Sequence, residues 1–117
     1  MKDIYVITEQ LKLMGKGQVY TCINLSNLQT KKIEKEDVDE SLVIDFNDLC
    51  GHFSLYNDYS KVKKISLIKE IIIELKSSKI YKNSETLVSD IKDTLKLRNS
   101  NFQASMNRNN FTLISFK

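Results

Sequence analysis

The apolar residues change their period halfway along the chain, and this change limits most what the chain can fold into. In the first half they recur every second residue, which is the spacing of a half-buried strand. Between Gln18 and Leu25, the residues Val19, Thr21, Ile23 and Leu25 point one way, and Tyr20, Cys22 and Asn24 the other. From Val62 onward the spacing becomes three or four. Val62, Ile65, Ile68, Ile72 and Leu75 form one stripe, widened by Leu67 and Ile71. That pattern marks an amphipathic helix. Strands first and helices after give an α+β fold, not an alternating one.

The punctuation supports this reading. Ile4–Thr8 is β-branched and aromatic, as a strand should be. Gly15-Lys16-Gly17 supplies a reversal, because glycine tolerates positive φ. A hairpin therefore joins the first two strands, and Asn24–Asn27 reads as a second turn. A third strand is expected around Lys31–Lys35 and a fourth over Leu42–Phe46, completing an antiparallel meander over residues 1–56. Phe53, Leu55, Tyr56 and Tyr59 read as anchors in an irregular segment. Residues 57–117 form the helical part. A helix over 61–77 is capped by Ser60 or Asp58. Asn83 or Ser84 caps a second helix, and Asn99 or Ser100 a third. Residues 111–116 alternate and read as a short closing strand.

A chain of 117 residues suits one domain. Halves of about 60 residues would each bury too little surface to be stable alone, so they must share a core or rely on a homodimer. The start, Met1-Lys2-Asp3-Ile4-Tyr5-Val6, does not resemble a secretory signal. The longest aliphatic run, Ile71-Ile72-Ile73, is far short of a membrane span. The expectation is a cytoplasmic protein with Cys22 and Cys50 reduced. Lys, Ile and Asn make up a third of the chain. All three have AT-rich codons, which points to a phage, a mobile element or a low-GC bacterium.

Candidates for chemistry are few. Cys50-Gly51-His52 holds the only histidine, but no third group orients a Cys–His nucleophile. Asp45, Asp48, His52 and Asp58 could hold a cation, yet their spacing fits no metal loop. Gly15-Lys16-Gly17 lacks the spacing of a phosphate loop. The aromatic cluster Phe53, Tyr56 and Tyr59 could line a small-ligand site but reads better as core. The expectation is a non-enzymatic protein with no cofactor and no metal.

Charge is divided unevenly. Residues 1–60 carry a balance of −4, and residues 61–117 carry +7. No acid occurs from Thr94 to Phe111. Lys96, Arg98, Asn99, Ser100, Asn101, Gln103, Asn107 and Arg108 lie in that stretch. Asn, Gln and Arg can read base edges, and Lys and Ser can hold phosphates. Residues Val88 to Met106 resemble a helix-turn-helix unit, with Ile91, Leu95, Leu97 and Phe102 at its usual apolar places. The helix before and the strand behind make it similar to the winged variant. That resemblance implies DNA binding, with residues Ser100 to Arg108 in the groove.

Two functions follow as expectations. One is a DNA-binding regulator using residues 96–108. The other is a stoichiometric inhibitor or adaptor of the kind phages and mobile elements use for anti-defence or immunity. It would bind a protein partner through Glu34, Glu36, Asp37, Asp39 and Glu40.

Overall fold

The computed structural model describes residues 3–15 and 17–115. Strand β1 (Tyr5–Leu13) is followed by β2 (Gly17–Asn24) and β3 (Thr30–Glu34). A short strand β4 (Val43–Asp45) leads into a single helical turn, α1 (Phe46–Leu49). Helices α2 (Lys61–Ser78) and α3 (Ser84–Ser115) complete the chain. The fold is α+β, with a four-stranded mixed sheet followed by helices.

The first turns form as their residues dictate. Gly15 and Gly17 adopt φ of 76° and 75°, which an L side chain rarely takes. At the second turn, the Asn24 side chain accepts from the Ser26 N–H at 2.7 Å, and the Leu28 N–H donates to the Asn24 carbonyl at 2.8 Å. Strands β1, β2 and β3 are antiparallel neighbours, as expected of a meander. An irregularity between Ile7 and Glu9 leaves Thr8 without a pairing partner in the ladder. Its hydroxyl donates instead to the Thr21 carbonyl at 3.2 Å.

The fourth strand differs from the expected meander. It pairs parallel to β1, with Tyr5 opposite Val43, so the order is β3-β2-β1-β4. A parallel partner cannot be reached by a tight turn. Residues 35–42 must therefore cross from one edge of the sheet to the other. They do so in two 3-10 turns, Lys35–Asp37 and Glu40–Leu42.

Helix α2 begins at Ser60, whose hydroxyl accepts from the Lys63 N–H at 3.2 Å. It buries Leu67, Ile68, Ile71 and Ile72. Val62 was expected in this stripe but is 68% exposed, because the first turn lies beyond the edge of the core. Helix α3 is capped by Asn83, whose side chain accepts from the Thr86 N–H at 2.8 Å. Leu87, Ile91 and Leu95 are fully buried. They join Val6, Ile23 and Leu25 from the sheet in one core, to which both halves of the chain contribute.

Two further expectations are corrected by α3. The second and third helices are one continuous helix, and residues 111–115 extend it instead of forming a closing strand; Phe116 lies outside the described residues. The turn of a helix-turn-helix is therefore absent at residues 96–100. Lys96 stands where that motif places glycine, and no Gly or Pro occurs between Ser84 and Ser115. Asn and Ser cost a helix only about 0.5–0.7 kcal/mol each relative to Ala, too little to end one.

The radius of gyration is 17.0 Å, against about 13 Å for a compact chain of this length. The long axis reaches 59 Å. Helix α3 accounts for the excess, since 32 residues span about 48 Å. Among its described side chains the last fully buried one is Leu95, and Ser100 to Met106 are exposed on every side.

Tyr56 ties α3 to the body. Its hydroxyl donates to the Leu95 carbonyl at 2.7 Å, and its ring meets Phe46 and Tyr59 edge-on. Burial pushes its phenol up to about 12, and the neighbouring Tyr59 adds to the rise. An unfolded tyrosine titrates near pH 10, so the folded state holds this proton more tightly. The stabilisation is complete below about pH 10 and is lost as pH rises through about 12. We expect Tyr56→Phe to cost about 1–2 kcal/mol at neutral pH. The variant should also lose less stability between pH 7 and pH 11 than the parent. Urea unfolding at both pH values measures this.

Candidate functional site

The sheet has two faces with different cover. Ile4, Val6, Ile23, Leu25 and Ile44 look toward α2 and α3 and pack in the core. The register sets a second group on the other face: Ile7 opposite Cys22, Tyr20 opposite Ile33, Tyr5 opposite Val43. Ile7 and Cys22 are buried but belong to no part of the helix-side core. Burial pushes the Cys22 thiol up, opposed by Lys31. Lys31 also stands over the Tyr5 ring, 4.7 Å from its centre.

What crosses this second face is the connection from β3 to β4. Val38 comes down beside Ile7, Tyr20 and Val43, and with Lys35 and Glu40 they enclose a slot of about 280 Å³. The slot is therefore apolar at its base and charged at its rim. Residues 34–40 hold five carboxylates and one lysine. Glu34, Glu36, Asp37, Asp39 and Glu40 are all exposed. Asp39 caps the second 3-10 turn, accepting from the Ser41 N–H at 3.0 Å and its hydroxyl at 2.7 Å. Of the acids singled out in the sequence, Glu40 lines this apolar opening together with Lys35, and the other four are exposed in the adjoining residues 34–39. The sequence reading missed the opening, and the one signal for it was Val38, the only apolar residue in a run of charges.

The polar residues of α3 are less uniform than the sequence implied. Lys96, Ser100, Asn101 and Gln103 are exposed. Arg98 is half-buried and committed to Glu70 at 3.1 Å and Glu74 at 3.3 Å. Asn99 has its side-chain carbonyl oxygen buried with no hydrogen-bond partner. The side chains of Asn107 and Arg108 lie outside the described residues. Among the apolar residues of this part, Leu97 is 61%, Phe102 42% and Met106 46% exposed. Phe102 and Met106 lie at helical spacing from Leu95 and continue the stripe that Leu87, Ile91 and Leu95 bury in the body.

The other candidates fall into structural roles. The His52 imidazole pairs with Asp48 at 3.0 Å, while the Cys50 thiol donates to the Asn47 carbonyl at 3.5 Å. Burial pushes the Cys50 thiol up, away from the thiolate a nucleophile needs. Asp45 caps α1 and accepts from the Gln10 side-chain amide at 3.1 Å. Among the described residues no three His, Cys, Asp or Glu side chains converge as metal ligands. Phe53, Tyr56 and Tyr59 pack in or against the core. No described helix is long and apolar enough to cross a membrane.

No protein-family model, curated protein or solved structure matches this chain.

Proposed function

We propose that this chain is a non-enzymatic protein-binding protein, of adaptor or stoichiometric-inhibitor type, that docks its partner on the second face of the sheet. The observation that carries the reading is the slot between Ile7, Tyr20, Val38 and Val43, with Lys35 and Glu40 at its rim and four more exposed carboxylates in residues 34–39. An apolar centre with a charged rim is the anatomy of a protein interface. The excess of carboxylates over residues 34–40 steers basic partners toward this face. The partner is accordingly a protein surface that offers an apolar side chain flanked by lysine or arginine.

The alternative, DNA binding by α3, is weaker on geometry. The helix-turn-helix turn is missing, and Arg98 is already neutralised by two glutamates. Among the described side chains of residues 96–106, that leaves Lys96 as the cation to meet a phosphate.

The test places a photo-cross-linking residue at Val38 in the full chain, in cells. The expected result is a covalent protein adduct that disappears when Glu36→Lys and Glu40→Lys are added. No adduct at all, of either foreign protein or a second copy, would overturn the reading. So would a gel shift of duplex DNA at low salt that Lys96→Ala abolishes, which would move the function to α3.

A further inference from the structure

We infer that the slot on the second face of the sheet receives the protruding half of α3 from a second copy of this chain. This rests on the reading of that face as a protein-docking surface and names its occupant. Two observations meet here, one on each element. The slot offers an apolar base beside residues 34–40, which are rich in exposed carboxylates. The outer part of α3 offers the complement. Phe102 and Met106 are exposed on the stripe that the body buries further back, and no acid follows Asp93. Lys96 is exposed on the same helix.

An isolated helical end of this kind gains little from propensity alone, since short helices are marginal in water without an apolar face to bury. Covering Phe102 and Met106 supplies the burial that residues 100–106 lack among the described residues. The excess of carboxylates over residues 34–40 and the absence of acids after Asp93 favour seating α3 on that face over pairing two α3 helices. Helix α3 runs to Ser115, well past Leu95, the last fully buried of its described side chains, which gives it the reach. If each copy lends its helix to the other, the assembly closes as a two-fold dimer, and a foreign partner reaches the slot by displacing a helix.

The experiment is a charge swap read by sedimentation or light scattering on the full chain. At low salt the parent should have about twice its 13.6 kDa monomer mass, and the dimer should dissociate as salt rises. One variant carries Glu36→Lys with Glu40→Lys. The other carries Lys96→Glu with Gln103→Glu. Each alone should weaken dimerisation by at least about tenfold, the equivalent of 1.4 kcal/mol. An equimolar mixture of the two should recover the dimer, because each then presents a slot complementary to the other's helix.

A second measurement guards against misfolded variants. A photo-cross-linking residue at the exposed position Phe102, in an otherwise unchanged chain, should link to residues 35–43 of another copy. A parent that stays monomeric up to about 1 mM overturns the inference, as do a mixture that fails to recover the dimer and links that run from α3 to α3. A monomeric parent whose Val38 adduct is a foreign protein would leave the docking reading standing and remove only the second copy as its occupant.

Discussion

Ile91→Ala is expected to lower the unfolding free energy by about 3–4 kcal/mol, within the 2–5 kcal/mol seen for buried Ile or Leu truncations. Ile91 is fully buried and sits between Leu87 and Leu95 on the face of α3 that meets the sheet and α2. Truncation removes three carbons from water-excluded packing and leaves a cavity that the sheet and α2 close only in part. For a domain of this size the loss corresponds to a fall in Tm of roughly 10 °C or more. The matching control is Ile73→Ala. Ile73 is one of three consecutive isoleucines but is 60% exposed, so its change should stay within about 0.5 kcal/mol. Urea unfolding followed by circular dichroism gives both numbers. Equal costs at the two positions would mean that the helices do not present the faces described.

The second large effect concerns the continuity of α3. Lys96→Pro removes the N–H that closes on the Lys92 carbonyl and drives the ring into that carbonyl, at about 3 kcal/mol or more. Lys96→Gly should cost about 1 kcal/mol, the ordinary penalty inside a helix. The glycine variant is the sharper of the two. In a helix-turn-helix, glycine at this place would relieve the turn and leave stability unchanged or raised. Urea unfolding of the parent and both variants separates the cases, and a stabilised Lys96→Gly would restore the turn to this stretch.

Much of the fold was legible in the sequence because it is set by local chemistry. The two glycines at residues 15 and 17 take positive φ that other residues avoid, so the first hairpin could be placed without coordinates. Ser60 and Asn83 accept the N–H groups that helix starts leave orphaned, and both caps were readable from residue type and position. The stripe through Leu87, Ile91 and Leu95 followed from helical periodicity. The alternation at residues 111–116 misled, because β-propensity expresses itself only where a neighbouring strand is available. Here the helix simply continues through Ser115.

The same distinction separates the two candidate sites. The acids of residues 34–40 were visible as a run. The slot beside them was not, since it is made by Ile7, Tyr20 and Val43 from three different strands together with Val38. Arg98 looked like a free cation until α2 brought Glu70 and Glu74 within about 3.3 Å of it.

By itself the sequence determined where strands give way to helices, which turns reverse the chain and which helix faces seek a core. These are choices between neighbours a few residues apart, governed by backbone sterics and the period of side chains along one element. Only the tertiary structure decided that the fourth strand joins β1 in parallel, that residues 35–42 must therefore cross the open face of the sheet, and that residues 100–106 of α3 stay exposed. Those outcomes depend on which distant surfaces meet, and packing free energy between residues far apart in sequence leaves no mark in the local pattern.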